Sequence, residues 1–133
     1  MEKEMTEKRR LPNRRIGYNQ KMKVGGQTLF LRTGQFEDET LGEIFVDLSK
    51  TEPVLSALLN GFCIAISAGL QHGVPLDWFV DKFTFFKFEP AGRVENHEHI
   101  KMATSILDAI FRDLAINYLG RNDLKHESKE VGK

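Results

Sequence analysis

One cysteine, four histidines and a cluster of arginines and lysines near the start are the side chains in this 133-residue sequence with chemistry to offer. Cys63 stands alone, which excludes an internal disulfide, a CxxC redox pair and a cysteine-rich zinc site. It falls beside Phe62 and Ile66 on an apolar helical face, where desolvation raises a thiol's pKa. The nearest histidine on the same helix, His72, is about two and a half turns away. Cys63 therefore reads as an inert core residue. His97-Glu98-His99 sets two imidazoles two residues apart, but no further His or Cys stands at a spacing that completes a zinc site, so no metal is expected. Asp77 and Asp81, and likewise Asp108 and Arg112, are four residues apart, a pattern expected on the solvent-facing side of helices rather than in a carboxylate dyad. Gly25-Gly26 has no accompanying GxGxxG or GxxxxGK[ST] and opens no helix, so it reads as a turn or bulge. No catalytic residue is assigned.

The feature with a claim on a ligand is the basic segment. Residues 1 to 23 hold eight Lys or Arg against three Glu, which is +5. The chain is neutral overall, so the remainder carries −5. Such a segment can neutralise phosphates, and Arg9, Arg10, Arg14, Arg15, Lys21 and Lys23 are the candidate phosphate- or partner-binding residues, with Lys8 beside them. Tyr18 and Phe30 are available for stacking. The competing reading is a solvated arm, or one folded back on its own acidic body.

The elements that must position these residues follow from periodicity. Met1 to Asn13 reads as a flexible basic arm closed by the turn-forming Leu11-Pro12-Asn13, residues 14 to 121 as a single α+β domain, and residues 122 to 133 as a charged flexible tail. Lys21 to Arg32 alternates polar and apolar positions, as one or two strands. Glu43 to Leu48 alternates again and completes a hairpin or three-stranded meander. A long helix is expected from Pro53 to His72, N-capped by Ser49 or Thr51 and stopped at Gly73. A short helix is expected over Leu76 to Phe83, and a strand-like apolar run over Thr84 to Phe88. A polar loop is expected over Val94 to His99, and a second long helix over His99 to Leu119. The expected architecture is a small antiparallel sheet packed against two long helices.

Composition supports a folded body: 41% of residues are hydrophobic, and a chain of this length buries a core without staples. Met1 to Arg15 contains no apolar signal region. The longest apolar stretch, Gly61 to Leu70, is short of a bilayer span, so no membrane contact is expected and the compartment reads as cytoplasmic.

Several ordered segments resemble a known family. They include Leu11-Pro12-Asn13-Arg14-Arg15, Lys23-Val24-Gly25-Gly26, Leu41-Gly42-Glu43-Ile44-Phe45 and Gly69-Leu70-Gln71-His72-Gly73-Val74-Pro75-Leu76. Phe88-Glu89-Pro90-Ala91-Gly92, Lys101-Met102-Ala103-Thr104-Ser105-Ile106-Leu107-Asp108 and Tyr118-Leu119-Gly120-Arg121 complete the set. Together they are similar to the TSCPD domain found in the C-terminal region of adenosylcobalamin-dependent (class II) ribonucleotide reductases. The resemblance implies that the radical-generating cysteine, the reducing pair and the cobalamin site belong to a separate barrel domain, and the mobile cysteine pair to a C-terminal tail. Neither part is in this sequence, so a free-standing domain that binds no cofactor itself is expected. Ribonucleotide reduction needs a thiyl radical and a dithiol, which one cysteine cannot supply. Three roles are then open. The chain can complete a cobalamin-dependent reductase in trans and support deoxynucleotide supply. It can bind a nucleotide or nucleic acid through its basic segment, or it can pair with itself as a homodimer through apolar helix faces.

Overall fold

The computed structural model describes residues 7–49 and 52–126. Its first sheet strands are β1 (Asn19–Val24), β2 (Gln27–Gln35) and β3 (Leu41–Leu48). The helices α1 (Pro53–Gln71) and α2 (Leu76–Phe83) come next, followed by two short strands, β4 (Gly92–Glu95) and β5 (Met102–Ala103). Helix α3 (Ile106–Leu119) and a 3-10 turn at Asn122–Leu124 end the described chain. The fold is α+β: a curled antiparallel five-stranded sheet in the order β3-β2-β1-β4-β5, with three helices.

The β1–β2 hairpin turns at Gly25-Gly26, whose φ angles of +55° and +91° are open to glycine at little cost. A Cβ on Gly25 would stand 2.3 Å from the carbonyl oxygen of Ala91, so the first glycine is also required by close backbone approach. The register Met22↔Leu29 and Gln20↔Leu31 turns alternate residues inward, and Met22, Val24, Leu29 and Leu31 are fully buried. Pairing of β2 with β3 shifts at Gly34/Gln35, the irregularity a bulge introduces where a strand bends.

Helix α1 begins at Pro53, which lacks an N–H and loses nothing in the first turn. Glu52 occupies the N-cap without a side-chain bond, in place of the expected Ser49; Thr51 lies outside the described residues. Leu59, Cys63, Ile66 and Leu70 turn inward. Ser67 Oγ fastens the helix to β3 by accepting from the Ile44 N–H at 3.0 Å. The helix is longer than its most apolar run. Its 19 residues include an 18-residue window of mean hydropathy 1.8, and by length and composition alone the helix is enough to cross a membrane.

The second half of the chain departs from expectation in two places. Thr84 to Phe88 forms no strand. Phe83 joins Phe62 and Phe111 at centroid separations of 5.1 and 5.4 Å, where the three helices meet, while Phe85 and Phe86 are exposed. The last helix starts at Ile106 instead of His99. Residues 92–95 and 102–103 pair as β4 and β5, extending the sheet beyond the expected meander. The intervening Ile100 is fully buried in the loop. Ser105 then makes the N-cap, its Oγ accepting from the Asp108 N–H at 3.0 Å, and Asp108 reaches back to the Thr104 N–H at 2.9 Å. Asp108 thus stands where a capping box has Glu, but it accepts from the N–H one residue before the N-cap and not from that of Ser105 itself. Ile106 to Ala115 are all buried, so α3 is enclosed on every side up to its last turn.

Candidate functional site at the basic N-terminal segment

Residues 7–18, ahead of β1, run across the body and are bonded to it. The Arg9 backbone N–H donates to the Gln71 carbonyl at 2.7 Å, at the end of α1. Its guanidinium lies 3.7 Å from the centroid of Phe36 and 3.2 Å from Asp38 Oδ2. Thr40 donates to Asp38 through its hydroxyl and its backbone N–H. With Arg9 adding a smaller contribution, these bonds hold the Asp38 carboxyl below its ordinary value. Arg15 donates from Nε to the Pro12 carbonyl and from Nη1 to both Glu43 oxygens at 2.9 Å. Gly34 makes room for that carboxylate, since a Cβ there would stand 2.4 Å from Glu43 Oε2.

Lys8, Arg9, Arg10 and Arg15 line one surface hollow of about 300 Å³ together with Asn13, Glu43 and Gln71. Arg9 and Arg15 are engaged by carboxylates there. Among the described residues no ion pair or hydrogen bond engages the exposed Arg10 side chain, which leaves its charge for an external anion. Arg14, Lys21 and Lys23 do not line this hollow. Arg14 is exposed beside it in sequence, Lys21 stands 5.9 Å from the Phe30 centroid on β1, and Lys23 is half-buried opposite Thr28 and Glu95. Phe30 accordingly meets a lysine, and Tyr18 turns inward.

Two buried polar clusters are not legible from spacing. Asp113 is fully buried on α3. Tyr18 donates its hydroxyl to Asp113 Oδ2, and His97 Nε2 stands 2.8 Å from Oδ1. His97 Nδ1 accepts from the His99 and Ile100 N–H groups at 3.0 and 3.1 Å, which assigns the ring proton to Nε2 and makes that nitrogen the donor. Burial, followed by the charge of Asp113, raises the Tyr18 pKa, so the phenol stays a donor. Tyr118 stacks on Tyr18 at 5.8 Å and bonds Thr33 and Gln35 of β2.

Asp108 and Arg112 form the second cluster, and they correct the solvent-facing assignment. Both are buried, with Arg112 Nε donating to Asp108 Oδ1 at 3.0 Å and Nη1 to the Leu124 carbonyl at 2.9 Å. Asp108 also accepts from the Phe85 N–H at 2.8 Å. The segment expected as a tail thus starts as an ordered turn with Leu124 buried, and its remaining residues 127–133 lie outside the described ones. Asp77 and Asp81 are exposed, as read.

Cys63 is buried, and that burial pushes its thiol up to about 11, the behaviour of a core residue and not of a nucleophile. Among the described residues, no three His, Cys, Asp or Glu side chains converge as a metal site would need. The arrangement can hold an anion by charge in the hollow, and elsewhere its polar groups are spent on packing α3.

Comparison with known proteins identifies what this architecture belongs to. Residues 5–118 match the TSCPD domain. A vitamin B12-dependent ribonucleotide reductase of Agrobacterium fabrum is 58% identical over 120 residues, covering 90% of this chain and 9% of that protein. The reductase of the same name from Bradyrhizobium diazoefficiens is 54% identical over 122 residues, 92% of this chain and 10% of its own length. That of Rhodopirellula baltica is 32% identical over 124 residues, 93% of this chain and 12% of that protein. The chain thus spans about a tenth of the length of these relatives. No solved structure matches it. On the match to residues 5–118, the chain belongs to the TSCPD domain family.

Proposed function

We propose that this chain acts as an accessory domain to a vitamin B12-dependent ribonucleotide reductase, supporting ribonucleotide reduction and deoxynucleotide supply in trans without performing the chemistry. The observation that carries this reading is 58% identity across 90% of the chain, confined to 9% of the reductase. A single buried cysteine agrees with a supporting role, because the reduction consumes a dithiol and proceeds through a thiyl radical. Adenosylcobalamin is then assigned to the partner and not to this chain, and the setting proposed is the cytoplasm. The test is capture of the reductase on tagged chain, together with nucleotide-reduction assays with and without added chain. The reading expects a complex and a change in turnover. Failure to form a complex, with turnover unchanged, sinks it.

A second reading is favoured by Lys8 and Arg10 lining the same hollow as Arg9 and Arg15. In this reading the hollow holds the phosphate of a nucleotide or nucleic acid. Binding of a single-stranded oligonucleotide is then expected to weaken with salt, by a log-log slope of about −0.7 per phosphate contact. Arg10→Ala with Arg14→Ala flattens that slope if the segment is the contact, and no binding at low salt removes the reading.

A further inference from the structure

Helix α1 carries no charged residue in 19 positions, yet only one flank of it is buried. The other flank presents Val54, Leu58 and Ile64 to solvent at 73%, 66% and 63% exposure. Ala57, Gly61 and Ala65 lie between them with little or no side chain. A helix that faces water ordinarily turns charged residues outward, and an uncharged apolar flank of this length marks a covered surface. The four-residue spacing of Ala57, Gly61 and Ala65 opens a shallow channel in which the ridge of a second helix can settle closely.

Among the described residues, the charges bordering this flank stand at its two ends. At the N-terminal end Glu52 and Glu89 line a hollow with Val54 and Leu58. At the C-terminal end Lys8 lies beside Ile64 and Ala68, and Arg9 and Arg10 gather with it around Gln71. Glu43 lines the same hollows but is engaged by Arg15, as Asp38 engages Arg9, so Lys8 and Arg10 leave this end basic. Gly61 is near the middle. A surface that is acidic at one end and basic at the other is complementary to itself when turned end for end. A two-fold axis near Gly61 lays one α1 antiparallel to another and brings each Glu52 and Glu89 toward the other chain's Lys8 and Arg10.

We propose that the outer flank of α1 is covered by a second copy of this chain, in an antiparallel α1 pair about a two-fold axis near Gly61. The second copy is chosen because its charges match this flank end for end. The proposal does not rest on the reductase reading.

Sedimentation equilibrium of the full chain over a concentration series tests it. The mass is expected to rise from the 15.2 kDa of one chain to that of two. A Cβ on Gly61 meets nothing within 4 Å, so Gly61→Arg keeps the fold, seen as an unchanged circular dichroism spectrum, and returns the mass to one chain. Two charge-swapped variants carry the test independently of Gly61. Glu52→Lys with Glu89→Lys makes both ends basic, and Lys8→Glu with Arg10→Glu shifts both ends toward acidic. Each alone is expected at the mass of one chain, and the equimolar mixture at that of two. A wild-type chain that stays at 15.2 kDa throughout overturns the proposal, whether or not it captures the reductase or binds lipid vesicles. So does a Gly61→Arg chain as dimeric as wild type, or a mixture that does not assemble.

Discussion

His97 Nε2 and Asp113 Oδ1 are 2.8 Å apart, and both side chains are sealed from solvent. Asp113 also takes the Tyr18 hydroxyl, so one carboxylate joins the approach to β1, the loop after β4 and the central helix. Asp113→Asn turns an amide N–H toward a donor and removes the charge that strengthens both bonds. A loss of about 2–4 kcal/mol is expected in urea unfolding with the m-value unchanged. A loss below about 0.5 kcal/mol would show that the network contributes nothing net.

The Asp108–Arg112 pair is expected to be costly to break and inexpensive to replace. Arg112→Met strands a buried carboxylate and should cost about 3–5 kcal/mol. Pairing it with Asp108→Leu should recover part of that loss, although the Phe85 and Thr104 N–H groups then lose their acceptor. Thermal unfolding of the two single variants and the double variant measures the coupling. Strict additivity would contradict a coupled pair.

Cys63 makes stability depend on alkaline pH. Its folded pKa of about 11 exceeds the ordinary value of 9.0, so the folded chain holds its proton where the unfolded chain releases it. The contribution is whole below pH 9.0 and is lost as pH rises to about 11, at roughly 1.4 kcal/mol per pH unit at most. Cys63→Ala should flatten the decline across that window. At neutral pH a thiol reagent should label wild type slowly, and at the rate of a free thiol once urea is added.

Two glycines should respond in opposite directions to the same substitution. Gly25→Ala sets a methyl 2.3 Å from the Ala91 carbonyl oxygen at a φ of +55° and should cost about 1–3 kcal/mol. Gly61→Ala adds its methyl to open space on a helix and should gain about 0.5–1 kcal/mol. Urea midpoints at low protein concentration check both.

The first half of the fold is legible because local rules decide it. Alternation around Gly25-Gly26 places β1 and β2, and the apolar repeat of Leu55, Leu59, Phe62, Ile66 and Leu70 places the inner side of α1, although Leu58 and Ala65, which widen that stripe in the sequence, face solvent. The second half is not, because α3 is buried all round. Periodicity assumes that Asp108, Arg112 and Asp113 face water, whereas each meets a partner distant in sequence: Phe85, Leu124, and Tyr18 with His97. The β4–β5 pairing is too short to leave an alternation, and Ile100 between them mimics the start of a helix. Of the candidate anion-binding residues, sequence proximity holds for Arg9, Arg10 and Arg15, while Lys21 and Lys23 are carried off by β1.

The seam between β1 and β4 consists of Lys23↔Glu95 and Val24↔Val94, and it joins residues about seventy positions apart. β1, β2 and β3 are linked by short local turns and can assemble early, whereas this seam must wait for α1 and α2 to be laid down between its two sides. It is therefore the last part of the sheet to close during folding. Amide protons along β4 should accordingly exchange with solvent through a smaller opening than those of the β1–β2 hairpin.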